Sequence, residues 1–223
     1  MEDFVHLHVH TQYSILDGQA SIPRLVDKAM ADGMRGIAVT DHGNMMGIKE
    51  FYNYVNKKNK GKAPEEKFKP IIGCEMYMAS RRLFNKEGKE YQKAYHLVVL
   101  AKNLTGYHNL VKLVSKAWTE GYYYHPRTDK VELEKHKEGL IICSACLGGE
   151  IPQLIKNGNF EEAERTIQWF RPISTATVSG SAATCHTPQV TGAIRQPILL
   201  AIWNNFVATI KPTTATNEVR FSL

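Results

Sequence analysis

At 223 residues the chain is long enough for one large domain or two small ones, with a sizeable buried core. Its 43% hydrophobic and 22% charged residues are the proportions of a soluble globular protein. Apolar runs such as HLVVLA (96–101) and GLIICSA (139–145) are too short to span a bilayer, and the opening MEDFVHLH lacks the regions of a secretory signal. Four cysteines (Cys74, Cys143, Cys146, Cys185) make no disulfide framework, so the expected compartment is the cytoplasm, with no membrane partner. The net charge of +6 is mild but gathers in two stretches, 56–69 and 80–93, which either attract a polyanion or are solvated loops.

The predicted elements alternate. A strand is expected over Phe4–His10, followed by a helix with Ser21 as N-cap and Pro23 in its first turn, stopping at Gly33. Residues 35–40 read as a strand of the buried parallel kind, and 45–58 as a helix with Met46, Ile48, Phe51 and Val55 near helical spacing. Strands follow at 69–79 and 95–101, a helix at 104–118, a strand at 139–145, and helices at 150–157 and 159–170. This order predicts an α/β fold, a parallel sheet or an α/β barrel, with chemistry at the carboxyl ends of the strands. From Arg171 onward the texture changes: Thr, Ala and Ser are over-used, and Glu218 is the one acid against Arg171, Arg195, Lys211 and Arg220. The expected division is therefore a domain over 1–170 and an atypical, poorly ordered tail over 171–223, in which 197–210 is an apolar segment able to dock.

Chemistry-bearing residues gather at the predicted strand ends. His8 and His10, two apart on a strand, share a face and can grip one ion. Asp41 and His42 follow the strand at 35–40; Asp17 sits in the LDG turn; Cys146 follows LIICSA. Glu75 lies within an apolar strand, where an uncompensated charge costs several kcal/mol. A lone histidine on a strand is more often a hydrogen-bonded core or surface residue, Glu75 alone could pair with a nearby lysine, and Cys146 alone reads as a small buried hydrophobe. Their joint occurrence at successive strand ends favours a multinuclear metal site. His6 reads as a third ligand or a supporting neighbour, the latter favoured. His125, beside Arg127 in GYYYHPR, could border a phosphate; His108 and His136 read as solvated, and the Cys143–Cys146 pair lacks the second pair of a zinc ribbon.

The motifs HLHVHT with LDG, TDHGNMMG, KPIIGCEMYMA, YHLVVLAKNLTGYHNLVKLVSKA and GLIICSACLGGEIPQ, in this order, resemble the PHP (polymerase and histidinol phosphatase) domain. FVHLHVHTQYSILDG, AKNLTGYHNLVKL and SACLGGEIPQ resemble most its version at the amino terminus of bacterial DNA polymerase III alpha subunits. The resemblance spans about residues 3–170. It implies a distorted (β/α)7-type barrel, incomplete here, with up to three divalent ions (zinc, manganese or iron). The ligands it implies are His8, His10, Asp17, His42, Glu75, His96 and Cys146, with Asp41 a supporting neighbour; His96 enters on the resemblance alone. It also implies either phosphoester hydrolysis by hydroxide on the ions, as in a 3′–5′ exonuclease, or a scaffold for the polymerase, with DNA and replisome subunits as partners of the full-length protein.

The family closes its site with a late ATND-x-H motif, where this chain has ATNEVRF (215–221). Glu218 could still ligate, but Arg220 cannot. The expectation is a fragment of a longer polymerase subunit with an out-of-frame tail, weak or inactive as a phosphoesterase, and unable to synthesise DNA without palm carboxylates. An autonomous phosphoesterase or exonuclease and a non-catalytic scaffold module are the alternatives.

Overall fold

In the computed structural model of the chain, residues 4–173 are described. The first helix, α1 (Ile22–Ala31), starts with Pro23 in its first turn as predicted, although the Ser21 hydroxyl makes no capping hydrogen bond. Gly33 takes φ +77°, the left-handed conformation that ends the helix. Strands β1 (Gly36–Val39) and β2 (Lys69–Ala79) pair in parallel, Gly36 against Lys69, with α2 (Ile48–Lys58) crossing between them. α2 begins three residues later than expected. Asn44 holds the preceding loop, accepting from the Met46 N–H and donating to the carbonyls of Tyr13 and His42, and Met46 is exposed.

Strand β3 (Ala94–Ala101) is antiparallel to β2, and β5 (Leu140–Cys143) is antiparallel to β3. A two-residue strand, β4 (Arg127–Thr128), pairs in parallel with the end of β2. Helix α3 (Leu104–Thr119) separates β3 from β4, and α4 (Lys130–Lys135) separates β4 from β5; α5 (Glu150–Lys156) and α6 (Phe160–Phe170) complete the order. The α/β class stands, but the sheet is mixed rather than parallel. No α-helix lies between β2 and β3, so no right-handed crossover turns β3 parallel. Among the described residues the five strands form an open sheet, not a closed seven-stranded barrel. None of the described helices is long and apolar enough to cross a membrane. The tail beyond Ile173, with the expected apolar segment, Glu218 and Arg220, lies outside the described residues.

Alternation along the strands sorts the core into two faces. Ile37, Val39, Ile72 and Ala101 pack on α1 and α2 through Val26, Phe51 and Val55. Cys74, Met76, Leu97, Val99 and Ile142 pack on α3 through Leu110, Leu113 and Val114. The other face carries Ala38, Ile71, Val98, Leu100 and Ile141, partly covered by Val5 and Leu7. Glu75 and Tyr77 fall on this second face, since Glu75 pairs with Val98 and Tyr77 with His96.

The expected strand over Phe4–His10 is instead an extended segment bent at Leu7 and His8. It follows β1 through two backbone bonds, Ala38 N–H to His6 O and Thr40 N–H to Val9 O, each 2.9 Å. Three residues of the segment thus span two of β1, the mismatch of a β-bulge. The bend switches faces: Val5 and Leu7 pack on the second face, whereas Val9 packs toward α1 and α2. His8 and His10, which alternate with Val9, are thereby turned toward the face that holds Glu75.

Beneath α4 lies a charged network. Asp129 caps α4 at the Glu132 N–H and accepts from Arg82 Nε (2.8 Å) and the Leu83 N–H (2.9 Å). Glu132 is buried with Lys135 Nζ at 2.8 Å and Lys116 Nζ at 3.0 Å. The Lys135 hydrogen bond, aided by Lys116, lowers the Glu132 pKa against the opposing effect of burial. The native carboxyl therefore binds its proton less tightly than the unfolded chain does. Its stabilisation is complete above the unfolded value of about 4.3 and is lost as pH falls through the native value. Glu132→Gln is expected to destabilise the chain at pH 7, with a gap from wild type that shrinks steadily below about pH 4 in urea titrations.

Candidate metal centre

Strands β1, β2 and β5 run one way and β3 the other, so the start of β3 lies beside the carboxyl ends of β1 and β5. This is why His96, which opens its strand, reaches the same place as Asp41, His42 and Cys146, which follow theirs. Chain geometry supports the junction: Glu75 N–H bonds Asp41 O (3.1 Å), Gly43 N–H bonds Glu75 O (2.8 Å), and His96 N–H bonds Gly148 O (3.0 Å).

Glu75 is the common point. Its carboxylate, 1% exposed, has His8 Nε2 at 3.1 Å, His10 Nε2 at 3.5 Å, His42 Nδ1 at 2.5 Å and His96 Nδ1 at 3.0 Å. Cys146 Sγ stands 3.8 Å from Glu75 Oε1 and 3.5 Å from His96 Nδ1. His8 and His10 bring their Nε2 atoms within 3.1 Å of each other. Asp17, on an exposed turn, meets the far nitrogen of His42 at 3.0 Å. The structure thus brings together His8, His10, His42, Glu75, His96 and Cys146, with Asp17 joined through His42.

Burial alone would raise the Glu75 pKa; the contacts with His42, His8 and His96 outweigh it and hold the carboxyl well below the usual range. His96 is pushed up to about 10 by Cys146 and Glu75 against its burial, and His42 is raised by Glu75. His10 is lowered, by burial and then by His42. Cys143, partly buried against the second face, has its thiol pushed up to about 12 by desolvation, which makes it unreactive.

Among the described residues, two groups of three potential ligands could hold a metal ion, His8–His10–Glu75 and Glu75–His96–Cys146, and Glu75 belongs to both. The buried atoms His42 Nδ1 and Glu75 Oε2 lie 2.5 Å apart, and among the described residues neither has a well-aligned hydrogen bond, as two atoms turned toward a shared cation would. Imidazole, carboxylate and thiol side chains can all serve as donors to a divalent ion. These residues fit a divalent metal.

The other residues singled out in the sequence lie beside this cluster or apart from it. Asp41 touches none of the metal-binding groups through its carboxylate; it accepts the Thr11 N–H (2.7 Å), the Thr11 hydroxyl (2.8 Å) and the Ser14 hydroxyl (2.7 Å). Ser14 Oγ in turn contacts His10 Nδ1 at 3.0 Å. His6 packs edge-on against Phe4, and among the described residues no hydrogen bond joins its ring to the cluster; the bend at Leu7–His8 separates it. His125 stacks on Tyr77. Arg127 faces inward. It is 1% exposed, its guanidinium committed to the carbonyls of Gly121, Tyr91, Leu83 and Asn85. Two supporting residues carry no signature in the sequence. Ser14 orients His10, and Gly148 donates to Cys146 Sγ (3.4 Å) where a Cβ would press the His96 ring at 3.0 Å.

A helix-backed mixed sheet with histidines, a carboxylate and a thiol converging at one end is an α/β domain with a candidate metal-binding cluster. Residues 6–176 match the PHP domain, and the chain belongs to the PHP domain family. It is similar to DNA polymerase III subunit alpha of Borreliella burgdorferi (48% identity over 171 residues, 76% of this chain and 14% of the relative). The proteins of that name from Treponema pallidum (46% over 174 residues, 76% and 14%) and Thermus aquaticus (46% over 165 residues, 72% and 13%) are similar too. The chain spans about a seventh of the length of these curated relatives.

Asp41→Ala leaves three buried donors unpaired and is expected to cost about 3 kcal/mol or more in urea unfolding with chelator present. It should also weaken metal binding roughly ten- to hundred-fold through the loss of His10 orientation. Unchanged stability in chelator together with lost metal would instead make Asp41 a ligand.

Proposed function

We propose that this chain is the PHP region of a bacterial replicative DNA polymerase alpha subunit and carries a multinuclear divalent-metal centre of the phosphoesterase type. The observation that carries the reading is the convergence of four imidazoles and one thiol on the buried Glu75 carboxylate. The 48% and 46% identities to alpha subunits support the assignment to replication. DNA and other replisome subunits are then the partners, and the cytoplasm the compartment. Synthesis of DNA is not proposed for this chain.

His8, His10 and Glu75 would hold one ion, Glu75, His96 and Cys146 a second, and His42 with Asp17 a third; zinc, manganese and iron suit the donors. Such ions supply Lewis acidity toward phosphoryl oxygens and acidify water at neutral pH. The protein's own part is to fix the donors before substrate arrives. Asp41 and Ser14 lock His10, and the Gly148 contacts hold Cys146 beside His96.

Purified chain is expected to contain two or more ions by elemental analysis and to release nucleotides slowly from a labelled DNA 3′ end. Release should fall at least about a hundred-fold in His8→Ala and Glu75→Gln. Absence of metal, with stability unaltered by chelator, would contradict the reading and leave a non-catalytic scaffold.

A further inference from the structure

Four rings leave the cluster as one column. His10 and His42 lie 25° apart with centroids at 4.1 Å, His42 and Tyr77 20° apart at 6.1 Å, and Tyr77 and His125 21° apart at 4.5 Å. The inner two are candidate metal-binding side chains. The outermost, His125, is exposed, and among the described residues no hydrogen bond or ion pair engages its ring. The column therefore runs from the cluster to a flat surface that solvent can reach.

The loop presenting His125 is built rather than loose. Tyr123 N–H donates to His125 O at 3.0 Å, and Tyr124 holds φ +60°, a conformation a non-glycine residue adopts only when its surroundings impose it. Arg127 pins the loop from below: its Nε donates to Gly121 O at 3.1 Å and its guanidinium lies 5.1 Å from the Tyr123 ring. The same guanidinium holds the carbonyls of Leu83, Asn85 and Tyr91, which ties the loop to the basic stretch 80–93. That stretch exposes Arg81, Lys86, Lys89 and Lys93, with Glu87 and Glu90 among them.

We propose that His125 is the outer end of a base-stacking track, on which the unpaired terminal base of a single-stranded nucleic acid lies while its phosphoester reaches the metal cluster. Bases stack on flat side chains regardless of their identity, and neighbouring lysines and arginines follow the phosphate backbone. The two outer steps, 6.1 and 4.5 Å between centroids, carry the run of rings from His42 to His125. The inference rests on the phosphoesterase reading and adds to it the side chain that would hold the terminal base.

The test is binding by the full chain in chelator, so that no hydrolysis contributes. One single-stranded DNA oligonucleotide carries 2-aminopurine at its 3′ end; a second, equal in charge, ends in an abasic sugar. Wild type is expected to quench the 2-aminopurine and to bind the base-bearing strand roughly five- to hundred-fold more tightly than the abasic one. His125→Ala should abolish both the quenching and the preference, and His125→Phe, which keeps a flat ring, should restore them. Equal affinity of wild type for the two strands, or a preference that survives His125→Ala, would overturn the proposal. Base-dependent binding without 3′-end release would instead sink the phosphoesterase reading, and release with no base preference would sink the stacking track alone.

Discussion

The Glu75 carboxylate sits at 1% exposure in the middle of β2, between Cys74 and Met76, whose side chains enter the apolar layer beneath α3. A charge in that position costs several kcal/mol unless it is matched. The match comes from far along the chain: the bent amino-terminal segment, the end of β1, the start of β3 and the loop after β5 each deliver a nitrogen or sulfur to within 4 Å. The start of β3 joins the other three only because that strand runs against its neighbours. The mixed topology and the buried acid are two sides of one constraint.

Rigidity around Glu75 is supplied by residues that do not face it. Asp41 fastens Thr11 and Ser14, and Ser14 fastens His10. Ala145 adopts φ +60° to turn the chain into Cys146, a strained conformation of the kind that persists where the surroundings demand it. Arg127 gives up its whole guanidinium to backbone carbonyls and so fixes the tyrosine-rich loop above the cluster. Preorganised donors cost little reorganisation on binding, which is the property a metal centre needs.

Where the sequence had an unambiguous period, it was read well. The apolar run of β2 and the Ser21, Pro23 and Gly33 signals of α1 correspond to elements at those positions. His8, His10, His42, Glu75 and Cys146 were legible as a group because strand ends collect chemistry in α/β folds. His96 was not, because strand direction is a tertiary property: nothing local to Tyr95–His96 says that β3 reverses. The bend at Leu7–His8 was equally hidden, since period-two alternation cannot reveal an extra residue, and with it went the separation of His6 from His8 and His10. β4 and α4, two and six residues long, are too short to carry a period at all. A charge beside a histidine looks like an anion site in the sequence, and only the fold reveals that Arg127 is buried with its guanidinium on four carbonyls.

X-ray absorption on the zinc-loaded chain tests the central claim most directly. If Glu75 and its neighbours hold the metal, the spectrum contains nitrogen and oxygen scatterers plus a sulfur scatterer that disappears in Cys146→Ser, and Glu75→Gln perturbs the whole shell. A hydrated, all-oxygen shell indifferent to both substitutions would contradict it.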